Sequence, residues 1–410
     1  MARILVVGGS LGGLFVANML WRDGHDVQVL EKVKGSMNGR GAGIVSHDVL
    51  VSSLQRAGLN GEAIGVQVPG RVLLDASGDT AIKIEMPQVL TSWSRLYQIL
   101  LEAFPKERYL QGVSVQKVEQ EVDGVRVWAQ SDGKELALEA DLLIASDGIR
   151  SGIRQQLFPE IQPSYAGYIA WRGVCEESLL SDLTLNSLFD YFGFCVPVNE
   201  QIIGYPVAGP NNNTQRGHRA YNFVWYRPVE DGEELKAILT DADGTYYPQG
   251  IPPNKVSWLQ IAHARSEARR LLSPQFAEVL EKTAQPFLQP IFDLASDKLC
   301  AGRIALMGDA AFVARPHIGM GVAKAAQDSV ALADAIKAYG ASPDALSLYA
   351  QQRRPAGLSA VQRARWLGGY VKASGAQRHP MEKRRHLAIH ETAIDWGLYG
   401  HQSAFVEDFQ

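Results

Sequence analysis

The segment that most restricts what this chain can fold into is residues 3–30. Arg3-Ile4-Leu5-Val6-Val7 is an apolar run of strand length, and Gly8-Gly9-Ser10-Leu11-Gly12-Gly13 follows it without a spacer. Helical spacing then runs from about residue 12 to 23, and a second apolar run occupies 27–30. A strand feeding a glycine turn, a helix and a second strand is a βαβ unit, in which the strands lie parallel and the helix covers one face. Such an opening commits the chain to a parallel sheet flanked by helices.

The glycines fall where a G-x-G-x-x-G turn needs them. Gly8 suits the tight turn, and Gly13 suits close packing of helix on strand. At the middle position stands Ser10, small enough to let the backbone N–H groups of Ser10, Leu11 and Gly12 approach a pyrophosphate. Glu31 closes the second strand 23 positions after Gly8, with Lys32 next to it. That is the spacing of an acid that accepts ribose hydroxyls, and a carboxylate there repels a 2′-phosphate. The tightly held nucleotide is therefore expected to be FAD or NAD rather than NADP. A structural glycine turn followed by an exposed strand-end glutamate is the plainer reading of the same residues.

Two later segments repeat the strand-then-turn pattern: Asp141-Leu142-Leu143-Ile144-Ala145-Ser146-Asp147-Gly148 and Arg303-Ile304-Ala305-Leu306-Met307-Gly308-Asp309. Alone, each ends in an ordinary turn. In this order after the first, they point to one nucleotide site assembled from separated pieces. Around them, Trp93–Phe104 has helical spacing, and 113–118, 122–129 and 135–138 read as a meander. From Tyr165 to Arg227 short alternating segments rich in aromatics predict a sheet with one covered face. Helical spacing returns over 255–284 and again from Gly321 to about Tyr339.

With 410 residues, 46% hydrophobic and 20% charged, the chain can bury two or three lobes. A net charge of −4 argues against nucleic acid as a partner. Three scattered cysteines without metal-ligand spacing favour a reducing compartment, and no metal is expected. A strand beginning at residue 3 leaves no room for a leader, and no apolar run has the eighteen or so residues of a membrane span. The expectation is a soluble, cytoplasmic protein without membrane contact.

The three turns, Gly8–Gly13, Asp147-Gly148 and Gly308-Asp309, resemble those of the single-component FAD-dependent aromatic hydroxylases, which include hydroxybenzoate, salicylate, urate and hydroxypyridine hydroxylases. The resemblance covers about residues 1–365. It implies that Asp147 lies near the pyrophosphate and nicotinamide path and that Asp309 holds the ribityl chain. It also implies that Pro316-His317-Ile318-Gly319-Met320-Gly321-Val322 runs beside the isoalloxazine, that Arg40 is a basic position near the flavin, and that the Val115 backbone meets adenine. Tyr165–Gly173 and the Arg315-Pro316-His317 core are similar to the branch containing 2,6-dihydroxypyridine 3-hydroxylase. Phe312, Ala323 and Trp93 depart from the general family pattern, Trp93 rather than Arg95 standing in register with a flavin-contacting arginine.

By this resemblance the fold is mixed α/β, a Rossmann-like FAD/NAD(P)-binding domain with an inserted, mostly antiparallel substrate sheet and a helical C-terminus. The expected division is 1–75, 95–165 and 285–365 for the FAD-binding domain, 76–94 and 166–284 for the substrate domain, and 366–410 for the C-terminal segment. The implied reaction uses NADH or NADPH as a transient donor to non-covalently held FAD. It then uses dioxygen, through a flavin C4a-hydroperoxide, to hydroxylate an electron-rich ring, with a hydroxylated pyridine the first choice and phenolic or purine rings the others. The cofactor carries the hard chemistry, so no nucleophile is required of the chain. A base that deprotonates the substrate would help, and His317 is the first candidate, His218 the second. Tyr191, Phe223 and Trp225 are candidate pocket walls, with core packing the alternative. A reductase on the same scaffold, a nucleotide-binding regulator without turnover and a homodimeric state all stay open.

Overall fold

The computed structural model describes residues 1–35, 37, 43–61, 64–371 and 380–400. The opening segment forms strand Arg3–Val7, helix Leu11–Arg22 and strand Asp26–Glu31. Four of the first strand's five residues are buried, as a strand covered on both faces requires. It occupies the middle of a six-stranded sheet in the order Cys300–Ala301, Ile304–Leu306, Leu142–Ala145, Arg3–Val7, Asp26–Glu31, Tyr109–Gln111. All neighbours pair in parallel except the two-residue edge strand Cys300–Ala301. Helix Leu11–Arg22 packs between this sheet and helix Gly321–Tyr339, contributing Leu14, Phe15, Met19 and Leu20 to one core with Leu332 and Ile336. The expected meander forms a separate three-stranded sheet of Val113–Gln120, Val125–Ser131 and Lys134–Ala140.

The second large sheet has nine strands, in the order Phe312–Val313, Phe287–Ala295, Ser164–Glu176, Ala220–Pro228, Gln201–Val207, Phe192–Cys195, Val66–Leu74, Thr80–Ser92, Gly43–Ser46. Strands Gly43–Ser46 and Val66–Leu74 belong to it, although both lie within the 1–75 segment assigned from sequence to the nucleotide side.

The expectation of one covered face is corrected here. All seven residues of Gln201–Val207 are buried, as are the first seven of Ala220–Pro228. One face carries Trp171, Tyr221, Phe223 and Trp225 against helices Trp258–Leu271 and Pro274–Lys282. The other carries Tyr168, Tyr205, Val224 and Tyr226 toward the six-stranded sheet and the C-terminal segment. With both faces covered, neither side needs polar residues, and the alternation seen in sequence is one of size rather than of polarity.

After the long helix Pro343–Leu367, helices Met381–Glu391 and Trp396–Tyr399 fold back over the junction of the two sheets. The buried Arg71 side chain donates to the carbonyls of Ile389 (2.8 Å) and Ala393 (3.2 Å), and Gln88 also donates to Ala393 (2.9 Å). Carbonyls at a helix C-terminus lack intrahelical partners, so this cation caps the returning chain. No helix among the described residues is long and apolar enough to cross a membrane.

Candidate active site

The three turns singled out in sequence meet at the carboxyl ends of adjacent parallel strands. Val7 is in register with Ala145, and Ala145 with Leu306, so the chain leaves all three strands at one level. The connection from Arg3–Val7 runs to Asp26–Glu31 on one side while Leu142–Ala145 lies on the other, which makes this a topological switch point, the usual place for a ligand in an open α/β sheet.

Gly8 turns at φ +99, and a Cβ there would lie 2.3 Å from the Ser146 carbonyl oxygen. A Cβ on Gly13 would lie 1.9 Å from the Gly8 carbonyl oxygen, so only glycine allows the helix to start this close to its own strand. A Cβ on Gly12 would lie 3.0 Å from Ser146 Oγ and 3.4 Å from Ala325 Cβ, and one on Gly308 would lie 3.5 Å from Ala325 Cβ. Residues far apart in sequence are thus in van der Waals reach of one another.

Ser10 is the N-cap of helix Leu11–Arg22 without a side-chain cap bond, and the first turn-closing bond is Leu14 N–H to Ser10 O at 2.9 Å. The preceding N–H groups have no intrahelical acceptor, and with the helix dipole they favour an anion. Glu31 is buried and accepts from Gly9 N–H and Val33 N–H, both at 2.8 Å. It braces the glycine turn while keeping free lone pairs, since a carboxylate accepts about four hydrogen bonds. Tyr109 donates to the Gly9 carbonyl at 2.8 Å and fixes the turn from the other side. Lys32 is exposed, and Val115 sits on the first strand of the meander. Arg40 lies outside the described residues.

Asp147 and Asp309 stand at the same strand ends. Asp147 Oδ1 is buried with no hydrogen-bond partner among the described residues, and burial raises its carboxyl pKa against the opposing Ser151 hydrogen bond. Asp309 projects into the cavity described below. Its pKa is raised by protein enclosure, lowered in part by Lys324 and raised again by Asp328. Asp328 in turn accepts from Gly308 N–H (3.0 Å) and Arg353 (2.7 Å), tying the Gly-Asp turn to two helices.

Between these strand ends and the nine-stranded sheet lies a cavity of about 760 Å³, within the range of small-molecule and cofactor sites. Its nucleotide-side wall includes Asp309, Pro316, Gly319, Gly321 and Val322, the last two in the first turn of helix Gly321–Tyr339. Gly148 (φ +82) lies beside Ile149 and Arg150, which line the mouth, whereas Met320 is the N-cap of the helix and does not line the cavity. Trp93 lines the cavity, stacked on Tyr97 at 4.8 Å, whereas Arg95 does not line it. The sheet-side wall is aromatic and branched: Phe192, Ile203, Tyr205, Val224 and Tyr226, with Arg172 among them.

Five expectations about the substrate end are corrected. Phe223 and Trp225 belong to the core on the opposite face of the sheet, because side chains alternate and the cavity face takes Val224 and Tyr226. Tyr191 packs at the edge of that same core and its hydroxyl accepts from Lys83 at 2.7 Å. His218 lines a separate small pocket near Pro210 and Arg219. His317 is fully buried behind the cavity wall, with Nε2 2.9 Å from the Tyr168 hydroxyl and Nδ1 3.1 Å from Gln201 Oε1. Its backbone carbonyl accepts from Ala393 N–H at 2.8 Å. It anchors the Pro316–Gly319 turn to the sheet and the C-terminal segment instead of reaching the cavity. Trp93, in register with the family's flavin-contacting arginine, does face the cavity, whereas the cavity-facing Arg172, Tyr205 and Tyr226 are marked in the sequence only by strand parity.

Burial, reinforced by Arg315, lowers the His317 pKa from 6.5 to about 3. The folded value lies below the unfolded one, so on acidification the unfolded chain binds the proton first. The stability associated with the neutral ring is complete above pH 6.5 and declines as pH falls toward 3, by up to about 1.4 kcal/mol per pH unit. His317→Gln should therefore reduce the fall in urea-unfolding free energy between pH 6 and pH 5 by about 1 kcal/mol. Equal pH slopes for the two proteins would refute a neutral buried imidazole.

Comparison with known proteins agrees with this geometry. The family model described as FAD binding domain matches residues 262–364, and one described as FAD binding domain-like matches residues 165–293. The chain is 33% identical over 333 residues to the 2,6-dihydroxypyridine 3-monooxygenase of Paenarthrobacter nicotinovorans, covering 81% of this chain and 82% of that one. It is 28% identical to the 6-hydroxynicotinate 3-monooxygenase of Pseudomonas fluorescens, covering 88% and 89%. The solved structure of 2,6-dihydroxypyridine-3-hydroxylase from Arthrobacter nicotinovorans superposes with a TM-score of 0.84 at 29% identity, covering 92% of this chain and 94% of that one.

Proposed function

The chain belongs to the FAD-dependent aromatic-ring hydroxylases, and from that premise we propose that it hydroxylates a hydroxylated pyridine, with NADH or NADPH as electron donor and dioxygen as the oxygen source. The observation that carries the reading is the continuous cavity running from Asp309 and a helix N-terminus at the strand ends to an aromatic wall on the nine-stranded sheet. Its volume leaves room for a flat ring beside a flavin.

The residues present fit FAD. Helix Leu11–Arg22 offers open N–H groups to the pyrophosphate, Glu31 keeps lone pairs for the adenosine ribose, and the unpartnered Asp147 Oδ1 and cavity-facing Asp309 are acceptors for hydroxyls. The first turn of helix Gly321–Tyr339, with Pro316 and Gly319, is assigned to the flavin's pyrimidine end, where N–H groups and the dipole favour negative charge. Bound FAD supplies the redox chemistry and the activation of dioxygen. The chain orients the ring between Trp93 and the sheet, and the apolar Ile203, Val224 and Phe192 keep water from the reacting face.

On this reading the chain divides into a discontinuous FAD domain and a substrate domain, and the membership of Gly43–Ser46 and Val66–Leu74 in the nine-stranded sheet favours counting them with the substrate side. A cytoplasmic setting is consistent with three free cysteines.

The test is direct. The FAD-loaded chain is mixed with NADH or NADPH in the presence of 2,6-dihydroxypyridine, phenols or purines, and oxygen uptake and product mass are followed. Substrate-stimulated oxygen uptake with a product heavier by one oxygen atom supports the reading. Nucleotide oxidation that proceeds to a reduced product without oxygen uptake would replace it with a reductase.

A further inference from the structure

The sheet-side end of the cavity is rich in hydrogen-bond donors and poor in acceptors. Arg172 Nη1 donates to Gln289 Oε1 at 2.8 Å, which occupies that acceptor, while Arg172 Nε is buried without a partner among the described residues. The Tyr226 hydroxyl is likewise buried and unpartnered, on a side chain that lines the cavity. Asn222 is fully buried next to the cavity without lining it; its Oδ1 accepts from the N–H of the cavity residue Gly43 at 2.9 Å, leaving its Nδ2 donor unpartnered.

Strand register puts these groups side by side. Arg172 pairs across to Val224, which pairs to Ile203; Asn222 and Tyr226 are the same-face neighbours of Val224 on either side. Among the described residues lining the cavity, Asp309 is the sole carboxylate, it stands on the opposite, nucleotide-side wall, and no histidine is present.

We propose that this end is an oxyanion site centred on Arg172, and that the protein takes its ring substrate already ionised at a ring oxygen instead of deprotonating a neutral one. The inference rests on the ring-hydroxylation reading and narrows its substrate class to anionic, oxygen-bearing heteroaromatic rings. Unpartnered buried donors are costly to leave unmade, and a guanidinium beside them makes a charged acceptor the group that satisfies them. An ionised ring oxygen is also the form whose ring is richest in electrons, so selecting that form serves the purpose a base would have served.

The groups facing Arg172 do not change charge between pH 5.5 and 8.5. Tyr205 is pushed up to about 12 and Tyr226 well above its usual range by burial, Arg172 opposing in both. His317, behind Tyr226 with ring centres 4.1 Å apart, is neutral throughout. Arg150, at the mouth, donates to the Gln249 carbonyl and stays charged. Ionisation of Asp309 on the far wall would weaken anion binding as pH rises, the opposite sign to the effect expected of the ligand.

The experiment measures binding of 2,6-dihydroxypyridine to the FAD-loaded protein without a nicotinamide donor, by perturbation of flavin absorbance from pH 5.5 to 8.5. Wild type is compared with Arg172→Met and Arg172→Lys at equal flavin content. In wild type, affinity should rise tenfold per pH unit below the ligand's own pKa and then level. Arg172→Met should lower the plateau at least tenfold and flatten the rise, whereas Arg172→Lys should keep the rise with weaker binding. An Arg172→Met protein with unchanged affinity and slope overturns the inference, and if it still hydroxylates the ring the function stands without it. Failure of every pyridine, phenol and purine to perturb the flavin or to be turned over overturns both.

Discussion

Gly13→Ala is expected to give a chain that no longer retains FAD. The new Cβ would lie 1.9 Å from the Gly8 carbonyl oxygen, a backbone atom that cannot rotate away, so the helix start must move relative to its strand. Over-packing of this kind costs about 1–3 kcal/mol, and displacing the helix N–H groups forfeits charge-assisted hydrogen bonds of about 1.5–3 kcal/mol each. Losing two such bonds even at the lower value, about 3 kcal/mol, weakens FAD binding by about a hundredfold. Flavin absorbance per chain after desalting checks this, with far-UV circular dichroism to show that the sheets persist. Gly12→Ala is the control: its Cβ meets the Ser146 hydroxyl at 3.0 Å, a rotatable side chain, and most flavin should remain. A fully yellow Gly13→Ala protein would remove the pyrophosphate from this helix.

The second large effect is expected at Asp293. Its carboxylate accepts from Arg315 Nε (2.9 Å) and Nη2 (2.8 Å), and from Arg365 Nε at 3.2 Å, and both Arg315 and Asp293 are buried. Asp293→Ala strands the Arg315 guanidinium over the Tyr168 ring, 5.5 Å from its centre, with no counter-charge. Breaking a buried pair from one side costs about 3–5 kcal/mol, chiefly through the unpaired charge left behind. Because Arg315 immediately precedes the cavity-lining Pro316, flavin affinity should fall together with the melting temperature, the latter by on the order of 5 °C or more. The double change Asp293→Leu with Arg315→Met removes both charges and should recover most of the lost stability. Thermal melts of the three proteins decide the matter: an Asp293→Ala chain within about 1 kcal/mol of wild type would mean that the pair does not hold the turn.

The nucleotide side was legible because its constraints are local. A strand that must be buried on both faces, a turn that admits only glycine and an acid at fixed spacing leave their mark in consecutive residues, and Arg3–Val7, Leu11–Arg22 and Gly321–Tyr339 form close to where the periodicity puts them. The substrate side was less legible because alternation reveals a period and not a phase. Phe223 and Trp225 have the bulk expected of pocket walls, yet a one-residue difference in parity sends them to the helical core and turns Val224 and Tyr226 to the cavity. The direction of His317 is hidden for a related reason: lying in a cavity-lining turn does not say which way a side chain points, and here Tyr168 and Gln201 hold the ring inward.

The chain's own residue order determined the βαβ opening, the three turns and the long helices, since hydrogen-bond geometry and glycine sterics act over a few neighbours. Only tertiary structure decided that the strand ends meet, that both faces of the aromatic sheet are covered, and that Arg71 holds the returning C-terminal segment, through Ala393, onto the Pro316–Gly319 turn. Those outcomes depend on contacts between residues hundreds of positions apart, where burial and charge pairing select one arrangement from many that satisfy the same local pattern.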